Sequence, residues 1–291
     1  MPSKTSWFNK QLILQAIRTA GWIPIFYFFG LIFALPLDIY MRHSDDIRVN
    51  FQPQPVESLF HYNLQIQAGM LIVIPVLMAV FLFRYLHVKQ AVEMMHSQPL
   101  RREKIFYHFT LSGIAGLIIP VILTSLTVLI LYSMIDLSAY FHMKDIFIWT
   151  GTTIALNAVI FAAGVLVAMM TGLSVIQAVL TYILLLFPSG IMVLFLTNLH
   201  TMWFGFPLEY YLNSNIDMMS PLTYIALLDE RAINGKVIAA YAAASLILYS
   251  LSLYFYKKRK IESATEAIAF PKLRSVFKYG ISLGIVRLRS R

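Results

Sequence analysis

Six nearly uninterrupted apolar blocks alternate with shorter polar stretches along the 291 residues, at about 21–40, 68–86, 109–135, 148–170, 174–197 and 237–256. An α-helix needs roughly 20 mostly apolar residues to cross a bilayer core about 30 Å thick. No Lys, Arg, Asp or Glu lies near the midpoint of any block, and Asp38, Arg84 and Asp136 sit at block ends. A charge at the centre of a spanning helix costs roughly 2.5–3.5 kcal/mol on insertion scales, so a chain that avoids it in all six blocks is patterned for lipid. The pattern predicts an all-α polytopic membrane protein with six transmembrane helices.

Composition agrees. The chain is 59% hydrophobic and 13% charged, with a mean hydropathy of +0.71, whereas soluble domains carry about 25% charged residues. The placement of charge orients the helices. The N-terminus, the loop after the second block, the short loop after the fourth and the tail together carry eighteen basic residues, against five on the other side. Cytoplasmic loops carry the Lys/Arg excess, so both termini are expected in the cytoplasm. Acidic residues follow the opposite bias, four inside and ten outside. The net charge of +9 is therefore an orientation signal facing anionic lipid headgroups, and no nucleic-acid partner is implied. The first block does not read as a cleaved signal peptide, since twenty residues precede it and no small-x-small cleavage site follows.

Catalytic chemistry is not written in the chain. Cysteine is absent, which excludes disulfides and thiolate metal sites. The seven histidines (His43, His61, His87, His96, His108, His142, His200) lack the paired helical spacing of a zinc protease and read as solvated or interfacial. Gly235-Lys236 is followed by Val237, with Glu230 in place of the upstream glycine of a phosphate-binding loop. There is no glycine-x-serine-x-glycine elbow and no intramembrane carboxylate pair. The expectation is a chain without enzymatic activity, cofactor or metal of its own.

Several stretches outside or within the blocks stand out. Residues 1–20 read as an interfacial amphipathic helix, with Phe8, Leu12, Ile13, Ala16 and Ile17 on one face and Lys10, Gln11, Gln15 and Arg18 on the other. The connection between the second and third spans contains Met95-His96-Ser97-Gln98-Pro99-Leu100-Arg101-Arg102, with Lys104 just beyond. Pro99 stops a helix before it and the basic cluster opens the next. Such an elbow either docks a soluble partner or anchors the third span at the headgroups. In the outer connection 198–236, Ser220-Pro221-Leu222-Thr223-Tyr224 places serine at an N-cap and proline at the first helical position. The helix would run only about eight residues, which makes it re-entrant or interfacial. Asn157, deep in the fourth span, is either a hydrogen bond between helices or a position on a path. Pro188-Ser189-Gly190 in the fifth span, after Phe187, is either a hinge or a static kink. Gly113, Gly116, Ala162, Ala163 and Gly164 permit close helix approach. Residues 257–291 form a basic tail whose apolar stretch 275–286 is either a surface helix or a further span cut short.

Taken together, the surface helix before the first span, six spans with both ends inside, the elbow after the second span and the outer motif before the sixth resemble the ABC-2 type permeases, the membrane subunits of bacterial ATP-binding cassette exporters. Ser220-Pro221-Leu222-Thr223-Tyr224 resembles the serine/asparagine-proline-leucine-threonine-tyrosine motif of that family. The elbow Met95 to Arg102 is similar to the Met-x-Ser-Leu-Pro-x-x-Arg segment of its Ytr-type branch in Gram-positive bacteria, associated with acetoin or cell-envelope stress, with Gln98 where that branch has leucine. The resemblance covers about residues 1–260. It implies a permease domain over 21–256 and a second permease chain, identical or a sister subunit. It also implies a cytoplasmic ATPase subunit that holds ATP-Mg and moves residues near 94–104. Spans two and five would then flank the path. A stand-alone secondary carrier would need a coupling ion, and no acidic residue lies mid-membrane to hold one. A membrane sensor or scaffold with a cytoplasmic partner remains the other alternative.

Overall fold

A computed structural model describes residues 10–49, 55–56, 58–97, 101–135, 137–212, 215–229 and 232–259. Among these there are helices and turns and no strand. In chain order the helices are α1 (Lys10–Ala20), α2 (Trp22–Ala34), α3 (Pro36–Val49), α4 (Leu64–Leu82), α5 (Lys89–His96), α6 (Arg102–Met134), α7 (Met143–Met170), α8 (Ser174–Met202), α9 (Leu208–Leu212), α10 (Pro221–Ala226) and α11 (Gly235–Lys258). Six stretches among the described residues are long and apolar enough to cross a membrane: Trp22–His43, which joins α2 to the start of α3, and α4, α6, α7, α8 and α11. This is the make-up of a multi-pass membrane protein. The helix of the third span begins at Arg102, well before the apolar block, because helical hydrogen bonding continues through the polar turn that lipid headgroups can solvate.

Helix α7 is the axis of the bundle. In its most apolar window 83% of the residues are buried, against 22% for α8 and 17% for α11. It packs on α4, α6, α8 and α11. Lipid offers no hydrophobic drive for helix association, so close backbone approach over small side chains must supply the contact. A Cβ on Gly164 would stand 2.7 Å from the Cβ of Ala79 in α4, and one on Gly113 of α6 would stand 2.2 Å from Cζ of Phe161 in α7. These two glycines set the separation of α7 from its neighbours.

Proline shapes the spans without cutting most of them. Leu35, the residue before Pro36, leaves the helical region (φ −122°, ψ −70°) and separates α2 from α3, as steric conflict with a following proline ring dictates. Pro75, Pro120 and Pro188 lie inside α4, α6 and α8, each of which continues through its proline. Helix α8 is therefore unbroken at Phe187-Pro188-Ser189-Gly190, and the Ser189 hydroxyl donates to the carbonyl of Leu186 at 3.0 Å.

At the end of the bundle that holds the start of α1 and the end of α11, α1 lies against α4 and α6 with Leu12, Ala16 and Ala20 buried. Ile17, expected on the same apolar face, stays 60% exposed. At the opposite end Trp149 Nε1 donates to Gln67 Oε1 at 2.8 Å, and the amide of Gln67 donates to the carbonyls of Leu59 and Tyr62. This chain of bonds ties α7 to the start of α4 and to the turn before it.

Candidate functional site

The elbow leaves α4 at Leu82 and makes a tight turn over Arg84–His87 before α5. Tyr85, Leu86 and His87 in that turn are all buried. The ring of Phe83 lies against those of Tyr85, Phe106 and Phe109, and Tyr85 lies 5.0 Å from Phe109 between ring centres. The Tyr85 hydroxyl donates to that of Tyr256 in α11 at 3.3 Å, and burial pushes the Tyr85 phenol far above its ordinary pKa. An aromatic box thus closes around the end of α4, the first turns of α6 and the last turn of α11.

Arg259 holds this box to α7. It is 7% exposed and its guanidinium donates to the carbonyls of Ala168, of Met169 at 3.2 Å and of Leu86 at 3.0 Å. The final carbonyls of a helix have no partner within it, and a cation there also faces the negative end of the helix dipole. Arg259 therefore caps α7 and clasps the elbow turn in the same grip. Its own carbonyl accepts from Arg102 Nη1 at 3.2 Å, which adds the first turn of α6. Burial lowers the Arg259 pKa to about 10, and it remains charged at neutral pH. Beside it His87 shares a hydrogen bond with the Ser174 hydroxyl at the start of α8, 2.9 Å. Burial, with the Arg259 charge next to it, lowers the His87 pKa to about 4. His87 is thus neutral and internal, unlike the solvated or interfacial histidine expected from sequence. At the rim, Lys257 pairs with Glu103 at 2.7 Å, both about half exposed.

The sequence-predicted elbow residues are placed as follows. Met95 is buried and Ser97 is exposed, its hydroxyl donating to the Met94 carbonyl at 2.9 Å. His96 ends α5. Pro99 and Leu100, with Gln98, lie outside the described residues. Arg101 is exposed and its carbonyl accepts from the Lys104 amide at 2.9 Å to open α6; Lys104 is half-buried and Arg102 reaches Arg259. On its outward face α5 offers Lys89, Gln90, Glu93 and Met94.

Ser220 and Pro221 open a helix as their spacing predicts, and that helix, α10, runs six residues where about eight were expected. Ser220 is the N-cap of α10, its hydroxyl accepting from the Leu222 amide at 3.3 Å, and Pro221 opens the helix. Thr223 Oγ1 donates to the carbonyls of Asp217 and Ser220, and the Tyr224 hydroxyl accepts from the Asn234 amide. Ser220, Leu222, Tyr224 and Ile225 are buried, and α10 packs on α4, α7 and α8. Within the bundle Asn157 is 1% exposed and donates to the Tyr27 hydroxyl at 2.9 Å, tying α7 to α2. Ser189 bonds within its own helix, and the space around Gly190 is open.

The sequence reading passed over Tyr85 and Tyr256, took His87 for a solvated or interfacial histidine and saw Arg259 only as part of the basic tail. Arg259 stands in the run Lys257-Lys258-Arg259-Lys260, and nothing in that run separates the inward cation from Lys257 and Lys258, which are exposed. Among the described residues there is no cluster of His, Asp and Glu able to hold a metal ion. Compared with protein-family models, curated proteins and solved structures, the chain matches none.

Proposed function

We propose that this chain is the membrane-spanning permease subunit of an ABC-2 type exporter. It would form the substrate path with a second permease chain and be driven by a separate cytoplasmic ATPase subunit that holds ATP-Mg. The observation that carries the reading is the coupling of the elbow to the bundle. The turn before α5 and the first turn of α6 are both bonded to Arg259, which also grips the end of α7. A push on α5 would reach α6, α7 and α11 through rigid, buried contacts, whereas a simple surface loop would absorb it. The polar outward face of α5 suits a soluble partner, and the excess of basic residues on that side supports a cytoplasmic location.

Affinity purification of the chain from its own membrane in mild detergent, followed by mass spectrometry, tests the proposal. A nucleotide-binding subunit should accompany it, and the coupled complex carrying Pro99→Ala should hydrolyse ATP without moving solute. Transport by the purified chain alone, driven only by an ion gradient, would remove the proposal.

A further inference from the structure

A cavity of about 850 Å³ opens between α1, α2, α4 and α6 at the end of the bundle that carries the elbow, within the roughly 300–1,000 Å³ of ligand-sized clefts. Its lining is graded along α6. Arg101 and Lys104 stand at the mouth, and Leu111, Ala115 and Ile119 continue the wall inward, faced by Ile17 of α1. Glu103 also lines the mouth, its carboxylate pairing with Lys257 at 2.7 Å and lying within electrostatic reach of Arg101, so that in the lining two cations face one acid. His108 adds a ring whose Nδ1 bonds with the Lys104 carbonyl oxygen at 2.7 Å. The mouth is therefore net cationic and the depth apolar.

The length of the groove identifies its occupant. From Lys104 to Ile119 the α6 backbone rises roughly 22 Å at 1.5 Å per residue. One leaflet with its headgroups is half of a bilayer of roughly 40–45 Å, the same depth. A free phosphate would leave the apolar wall bare, and a soluble peptide has no reason to follow that wall to mid-membrane. We infer that this groove binds one anionic phospholipid, its phosphate against Arg101 and Lys104 and an acyl chain along α1 and α6 as far as Ile119. Such a lipid covers the outward Ile17 that the bundle leaves exposed and joins α1 to α6. The inference is independent of the transport reading.

The test uses the full chain purified in detergent, titrated with phosphatidylglycerol or phosphatidylcholine and weighed intact by native mass spectrometry. One phosphatidylglycerol should be retained in preference to phosphatidylcholine. Arg101→Gln should cut that preference roughly fivefold, the effect of one basic residue near an anionic surface. Ala115→Phe, at an exposed position of α6, should fill the groove and remove the bound lipid of either headgroup, with thermal unfolding of the lipid-free chain unchanged. Three results would each overturn the inference: a preference indifferent to Arg101→Gln, a phosphatidylglycerol retained by Ala115→Phe, or displacement of the lipid by glycerophosphate as readily as by phosphatidylglycerol.

Discussion

Replacing Arg259 by methionine removes a buried cation while keeping most of the side-chain volume, and the sign of the effect depends on which of two large costs dominates. A hydrogen bond from a charged donor contributes about 1.5–3 kcal/mol, and Arg259 makes three to carbonyls. Against this stands the desolvation of a guanidinium, several kcal/mol for a buried ion. Arg259 has a little exposure left, 7%, and sits where the bundle meets water, so its desolvation is incomplete. Those contributions already contain the cost of leaving the carbonyls of Ala168, Met169 and Leu86 without a donor, so that cost is not added again. The balance is a loss of about 2–4 kcal/mol. Arg259→Lys keeps the charge but loses the fork that spans three acceptors, and should lose about half as much. Lys257→Met supplies the control: its ion pair with Glu103 is 48% and 50% exposed, where water and salt screen it, so little stability should be lost. Unfolding of the full chain in mixed detergent, followed by far-ultraviolet circular dichroism, reads all three. If Arg259→Met destabilises no more than Lys257→Met, the clasp does not hold the elbow to α7 and the coupling argument loses its footing.

Protonation of His87 gives a pH signature. Its pKa is lowered to about 4 in the folded chain from about 6.5 when unfolded, so the unfolded state binds more protons between those values. Stability should fall by up to about 3 kcal/mol as pH drops through that window and level off below it, and His87→Gln should flatten the curve measured by unfolding at stepped pH. Glycine substitutions should split by environment. Gly113→Ala must displace Phe161 and Leu82 and should cost about 1–3 kcal/mol by overpacking, whereas Gly190→Ala meets nothing within 4 Å and should gain up to about 1 kcal/mol from helix propensity. Thermal unfolding of both variants in the same detergent checks the contrast.

Six spanning helices were legible because lipid imposes a length and forbids charge, and both constraints are local in sequence. The cap at Ser220-Pro221 was legible for the same reason: an N-cap bond closes within three residues. What stayed hidden was formed by residues far apart. Arg259 meets Leu86 and Ala168, and Gln67 meets Trp149, through contacts that hydropathy cannot rank. Ile17 shows the limit of a helical wheel, which marks an apolar face without saying how much of it the protein covers. In α8 the proline signal was real, but the loss of one backbone donor was not enough to part the helix at Pro188.

The central position of α7 has a consequence for biosynthesis. Its partners α4 and α6 are made before it and α8 and α11 after it, and its contacts with α11 join segments separated by α8 and the connection that follows it. While the ribosome is still delivering the connection after α8, the flank of α7 that Tyr249 of α11 will cover, at the Ala158 carbonyl and the Phe161 ring, must face lipid or a chaperone. Helix α11, the last among the described residues, closes that flank, and Arg259 follows it immediately, locking the wall to the turn at Leu86. A nascent chain stopped before Gly235 would therefore be inserted but unsealed, a ready target for membrane quality control.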